Sequence, residues 1–270
     1  MVRAPADRLG RLGRFLWAGW SGVAGIALFA ALWQAGNERY GNFILPAPID
    51  VVFAAWAILG EARNWAIAAL TILRGAEGFG LAILIGVIGG LAAGYSPATM
   101  RLSRPILTLL VGVPPIAWIV LAMIWFGSTD ATVIVTVVVA VTPAIFISAA
   151  EGAMTRDRGL EDMARAFGVG SFGRLRSIGL RHVASYLFPV LSVSLGSAIK
   201  VAVMAELLSN IGGIGGALAM SRATLDVRGA LAWILLAVIG VIAIEYLLLR
   251  PIQAELERWR DAARPWGVKR

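Results

Sequence analysis

The chain has 270 residues, 59% of them hydrophobic and only 15% charged, whereas soluble domains carry about 25% charged residues, so a membrane class replaces a soluble globular one. It contains no cysteine, which excludes disulfides, thiol chemistry and Cys-based metal sites. The formal net charge of +8 would point to nucleic acid in a soluble protein, but the basic residues here flank apolar runs, which points to membrane topology and anionic lipid instead.

A spanning helix needs about 20 mostly apolar residues, and the sequence offers six such runs, which predicts an all-α membrane protein. The first, residues 15–35, follows Arg3, Arg8, Arg11 and Arg14. It exceeds the ~7–15 residues of a signal-peptide core and lacks a clear small-x-small cleavage site, so it reads as a retained helix after a segment 1–14. The second run, 66–95, is interrupted by Arg74 and Glu77, three apart and able to pair on one helix face. Its Gly86, Gly89, Gly90 and Gly94 form a small-residue face of the kind used for close helix packing. The third, 106–126, contains "VGVPPIAW". Pro114 and Pro115 must kink or break it; a packing kink and a bend beside a pathway are equally open. The fourth, fifth and sixth runs are 131–150, 185–208 and 230–249. The transmembrane domain is thus expected over 15–250, followed by a tail, 251–270.

Arginines decide the orientation. The N-terminal segment, the turn with Arg101 and Arg104, the loop 151–183 with Arg156, Arg158, Arg165, Arg174, Arg176 and Arg181, and the tail alternate onto one face of a six-span chain. The other face has Arg39, Arg63, Arg222 and Arg228. Both termini and the 151–183 loop are therefore expected in the cytoplasm.

Lys200 and Glu206 fall in the fifth run and Glu245 in the sixth. Ionisable groups are costly in lipid and should face the bundle interior or water. Glu206 reads as an outer-boundary residue and Glu245 as an inner one. For Lys200 an internal ion pair or carbonyl contact competes with a contact to substrate. His182, the only histidine, reads as a polar boundary residue and carries no metal site.

The most polar internal stretch is "LEDMARAFGVGSFGRLRSIGLRHV", residues 160–183. Leu160, Met163, Ala164 and Phe167 fall at i, i+3, i+4 and i+7, one apolar stripe on a short helix. Asp157 is a plausible N-cap, and Glu161 and Asp162 lie near the positive end of the helix dipole. Gly168 suits a left-handed stop. Phe172, Leu175 and Ile178 begin a second stripe, which makes the loop a helix, a glycine turn and a second helix. Lying on anionic lipid and docking a partner remain level on these residues alone.

The loop resembles the coupling loop in permease subunits of binding-protein-dependent ABC importers, whose pattern is E-A-A-x-x-x-G, nine residues, then I-x-L-P. Here it reads Asp162-Met163-Ala164, Gly168, then Ile178-Gly179-Leu180-Arg181, with Asp for Glu, Met for the first Ala and Arg for Pro. The resemblance runs on through "FILPAPIDVV", "TILRGAEGFGLAILIGVIGGLAAGYS", "RPILTLLVGVPPIAWIVLAMIWFG" and "VMAELLSNIGGIGGAL", which are similar to the nitrate, sulfonate and taurine type of permease. It implies a six-helix type I importer arrangement in a bacterial inner membrane. It also implies a homodimer of permeases, two separate ATPase subunits carrying ATP and Mg, and a periplasmic binding protein that does most of the substrate selection. It would place Leu160, Asp162, Met163, Ala164, Phe167, Gly168, Ile178 and Leu180 against the ATPase. Pro114, Pro115, Trp118, Lys200 and Glu206 would line the pathway. The chain itself needs no cofactor and no catalytic residue. Its two lysines, Lys200 and Lys269, follow Ile199 and Val268, so no G-x-x-x-x-G-K phosphate loop is present. An ion-coupled transporter or channel with Lys200, Glu206 and Glu245 as a charge relay is the alternative; the E-A-A-like loop and the lack of obvious inverted repeats oppose it. A membrane enzyme is disfavoured by the single histidine and the lack of a paired His/carboxylate cluster.

Overall fold

The computed structural model describes the backbone of residues 6–156, 158–174 and 179–249. Its regular elements there are all helical: α1 (Ala6–Tyr40), α2 (Pro48–Gly60), α3 (Ala62–Tyr95), α4 (Pro97–Gly112), α5 (Pro115–Phe126), α6 (Asp130–Met154), α7 (Arg158–Ala166), α8 (Ser171–Arg174), α9 (Leu180–Ser209), α10 (Ile214–Ala223), α11 (Val227–Ile244) and a π turn, Glu245–Leu249. Among the described residues, four helices are long and apolar enough to cross a membrane, α3, α6, α9 and α11 with its extension; the count is five if the bent pair α4 and α5 is one span and not a re-entrant loop. The first predicted run lies within α1, whose side chains before Trp20 are outside the described residues, as is the predicted tail 251–270.

The third run is more than kinked. Val113 (ψ 126°) and Pro114 (ψ 142°) are both extended, and α5 restarts at Pro115 with its axis 97° from that of α4. Each of these residues precedes a proline, whose ring pushes its predecessor out of the helical region, so two consecutive residues leave the helix. Two further helices were not evident from apolar run length. The α2 helix starts with Pro48 at its first turn and is only 13 residues long, too short to span. The α10 helix carries three of its ten residues as Gly or Ser in its first half and last turn, a composition that reads as loop.

At the centre of the bundle, α6 packs between α3 and α9. Its Val133, Val137, Val141 and Ile145 join Ala82, Ile119, Ala198, Ala202 and Ala205 in one buried cluster. The glycine face of α3 sets the spacing: a Cβ at Gly94 would lie 2.5 Å from the Ala153 Cβ, and one at Gly86 would lie 2.9 Å from Ile145. With no aqueous hydrophobic drive between helices in lipid, such close contact is the main source of association. Gly90→Val, aimed at the backbone of Phe146, is therefore expected to push α3 off α6 and lower stability by about 1–3 kcal/mol. Gly80→Val, which meets no atom within 4 Å, should leave it unchanged; thermal unfolding of the two purified variants checks the contrast.

Large apolar residues point outward around the bundle, Phe53, Trp56, Ile124 and Val193 among them. In water this would be an aggregating surface; facing hydrocarbon, it is the expected exterior.

Candidate functional site: a buried charge node and an exposed polar loop

The two ionisable residues that matter most in the bundle find each other. Arg74, in the first half of α3, is buried, and Glu206, one turn from the end of α9, is fully buried. Arg74 donates from one guanidinium nitrogen to Glu206 Oε1 at 2.7 Å and from the other approaches Asp130 Oδ1 at 2.7 Å. The same guanidinium also donates to the Gly212 carbonyl. Thr71 donates its hydroxyl to Glu206 Oε2 at 2.7 Å and accepts the Ile214 N–H at 2.8 Å; the Gly215 N–H donates to Glu206 Oε2 at 3.1 Å. One carboxylate thus ties α3, α9, the 210–213 turn and the start of α10 together, and Asp130 adds the start of α6. Gly213 is what allows the turn to pass so close. Its φ is 125°, and a Cβ there would run into the Glu206 carboxylate.

This geometry corrects one expectation. Arg74 does not pair with Glu77, which is exposed; its partners are Glu206 and Asp130. Glu206 is enclosed within the subunit, with both carboxylate oxygens hydrogen-bonded. The reason is electrostatic, since a buried carboxylate needs charge-assisted donors, and a guanidinium one helix away offers them where the neighbouring Glu77 side could not. The available clue was one basic and one acidic residue in separate apolar runs, which lipid would force together.

The other predicted pathway residues behave differently. Lys200 is exposed on α9, and among the described residues it forms no hydrogen bond or ion pair, so the internal pair expected for it is not made within the subunit. Pro114 and Pro115 are exposed at the α4–α5 break, while Trp118 is half-buried with its indole N–H enclosed and unpaired. His182 shares a 3.2 Å hydrogen bond with Thr155 Oγ1 and stacks near Tyr186; no group of metal-ligating residues exists among the described residues.

In the polar loop, α7 ends in a Schellman-type stop. The Val169 N–H donates to the Ala164 carbonyl at 2.9 Å, the Gly168 N–H to the Arg165 carbonyl at 3.0 Å, and Gly168 has φ 76°. The helix is pinned to the bundle by Arg156, which approaches Glu161 at 3.1 Å and lies 4.4 Å over the Tyr95 ring. Its apolar side is left open: Leu160 is 44% exposed, Met163 53% and Phe167 81%. Asp162 is exposed and Ala164 half-buried. The second loop helix is described over one turn, α8, and Leu180 is the first residue of the spanning helix α9. Asp157, Leu175 and Ile178, and the side chain of Phe172, lie outside the described residues.

Four apolar helices of spanning length, a small-residue helix pair and a polar loop with an open apolar stripe define a polytopic membrane protein. The chain belongs to the family described as the binding-protein-dependent transport system inner membrane component, which it matches over residues 82–259. It is 28% identical over 239 residues to the taurine transport system permease protein TauC of Escherichia coli (strain K12), covering 86% of each chain. It is 27% identical over 198 residues to the nitrate import permease protein NrtB of Synechococcus elongatus, covering 70% of this chain and 71% of that one. Its fold is similar to that of a chain of the MetNI methionine ABC transporter in inward-facing conformations, with TM-score 0.54 and 20% sequence identity over 77% of this chain and 97% of that chain. The protein is a multi-pass inner-membrane permease component of an ABC transporter and is not itself the catalytic subunit; its family implies a separate ATPase and a binding protein.

Proposed function

We propose that two copies of this chain form the translocation pathway of an importer for a small anionic or sulfonate-bearing solute, taurine-like or nitrate-like, delivered by a periplasmic binding protein. Six spans place both termini and the 151–183 loop in the cytoplasm, where α7 and its glycine turn dock in a cleft of the ATPase. ATP-driven closure of two ATPase subunits, each with its own ATP and Mg, moves the loops and rocks the helices. The observation that carries this reading is the open stripe of Leu160, Met163 and Phe167 on a helix whose other side is pinned to the bundle. Apolar side chains held out in this way gain most by burial against a partner. The two open states require unequal interaction with nucleotide and binding protein, because a ligand indifferent to the two states shifts nothing. The test is copurification of a P-loop ATPase with the chain in detergent; a chain that transports solute without one would refute the reading.

The native chain has no cysteine, so single-cysteine labelling reads topology directly. Val169→Cys is expected to react with an impermeant thiol reagent only after the cytoplasmic face is opened, and Leu225→Cys in intact cells. The reverse pattern would invert the orientation.

Lys200 is exposed on a spanning helix and has no ion pair among the described residues, a position that favours a water-filled passage or a partner subunit over lipid. In the proposed pathway it attracts an anion. Lys200→Met is expected to raise the KM for anion uptake about tenfold, a loss of about 1.4 kcal/mol of favourable interaction, with the ATPase still bound. Unchanged uptake and coupling would remove Lys200 from the pathway.

A further inference from the structure

The α4 helix stands apart from the rest of the bundle. It has no buried residue over its 16 positions, and its Leu102, Ile106 and Leu109 are 73%, 59% and 66% exposed. It starts two residues after α3 ends at Tyr95. The 34 residues of α3 run about 51 Å at ~1.5 Å each, well beyond the ~30 Å hydrocarbon core, so its ends reach headgroup level. An amphipathic helix with basic residues beginning at that level suits a lipid interface. Arg101 and Arg104, three apart on α4, are exposed and form no ion pair among the described residues.

Between α4 and α6 runs a groove with two unlike ends. One end is a cavity of about 620 Å³ walled by Leu107, Val111, Phe146 and Ile147; the other, of about 370 Å³, is walled by Arg101, Arg104 and Arg156. Met100, Arg104 and Met154 wall both, so the two adjoin. Glu151 is the one carboxylate on the walls, against three guanidinium groups. Arg156 is already held by Glu161 and the Tyr95 ring, which leaves Arg101 and Arg104 as the unspent positive charge.

We propose that this groove is a binding site for an anionic phospholipid, its phosphate on Arg101 and Arg104 and an acyl chain along Leu107, Val111, Phe146 and Ile147. The pairing of a charged end with an apolar slot is the chemistry of a lipid and not of a soluble anion, which has nothing to place in the slot. A lipid seated there fills the space between α4 and α6 and holds α4 at its angle to α5, so anionic lipid bears on the broken helix.

The test uses the intact transporter with its ATPase, in nanodiscs of phosphatidylethanolamine with or without phosphatidylglycerol. Native mass spectrometry after detergent release reads the lipid that stays. The wild type is expected to retain phosphatidylglycerol in preference to phosphatidylethanolamine. Arg101→Gln/Arg104→Gln should reduce that preference about tenfold or more, and Val111→Trp should reduce retention of either lipid by filling the slot. Arg222→Gln, at the far end of the bundle, should change nothing. Undiminished phosphatidylglycerol retention in both groove variants would overturn the proposal. So would efficient disulfide formation between two copies through Thr108→Cys, which would make the groove a subunit interface.

Discussion

Phe167→Ala is expected to strip the ATPase from the purified permease while leaving the permease itself inserted and folded. Phe167 is 81% exposed just past the end of α7, so its truncation removes little packing within the subunit. A large apolar anchor of this kind, once seated in a partner pocket, contributes about 2 kcal/mol or more, and its truncation weakens binding about thirtyfold or more. Phe53→Ala, at a site 67% exposed on α2, removes a similar apolar side chain from a face with no assigned partner and is expected to have no effect on copurification. Gly168→Asp reaches the same outcome by another route. At φ 76° any Cβ is penalised by about 1 kcal/mol or more, so the Schellman stop fails and the chain leaves α7 in a different direction. Ligand-stimulated ATP hydrolysis should fall with copurification in both variants. If both retain a full complement of ATPase and normal hydrolysis, α7 is an interfacial lipid-lying helix and the docking role is wrong.

The second large effect is expected at the charge node. Glu206→Ala leaves Arg74 buried with only Asp130 and the Gly212 carbonyl, and it frees the Thr71 hydroxyl and the Gly215 N–H from their acceptor. Breaking one side of a buried ion pair costs about 3–5 kcal/mol, because the remaining charge stays desolvated. The expected result is a large fall in thermal stability and faster proteolysis of the 210–215 turn, which the carboxylate holds. Restoring charge balance is the diagnostic step. Arg74→Met/Glu206→Met should recover part of the stability that either single change loses, since neither member is then left unpaired. A double variant no more stable than the worse single one would mean that the pair does not act as a unit.

Much of this protein was legible before any coordinates. The apolar runs for α6 and α9 lie within the observed helices, and that for α11 within the helix and its π-turn extension, because about 20 residues of hydrocarbon-compatible sequence admit no other spanning structure in a single chain segment. The paired prolines marked the break in the third run, and Gly168 marked the stop of α7, because each of these residues restricts or permits specific backbone angles wherever it occurs. The family resemblance likewise sat in local motifs, and the membership it pointed to holds over residues 82–259. The size of the break was not legible: two prolines forbid a straight helix, but the 97° angle is set by what α4 and α5 each pack against. The α2 and α10 helices escaped because shortness and small residues erase the apolar signal on which run-length reading depends.

Local composition therefore determined which segments are helical, where they must stop and which loop is polar, since those properties depend on neighbours along the chain. Partnership was decided only in three dimensions. Arg74 and Glu77 are three residues apart and could have paired, yet Arg74 joins Glu206, 132 residues away, because the glycine faces of α3 and the close packing of α6 and α9 bring that carboxylate to 2.7 Å in a place water does not reach. The same packing leaves Lys200 outside and Glu206 inside on one helix six residues apart. Hydropathy weighs those two charges alike; burial separates them, because an enclosed charge persists only where opposite charge and hydrogen-bond donors converge on it.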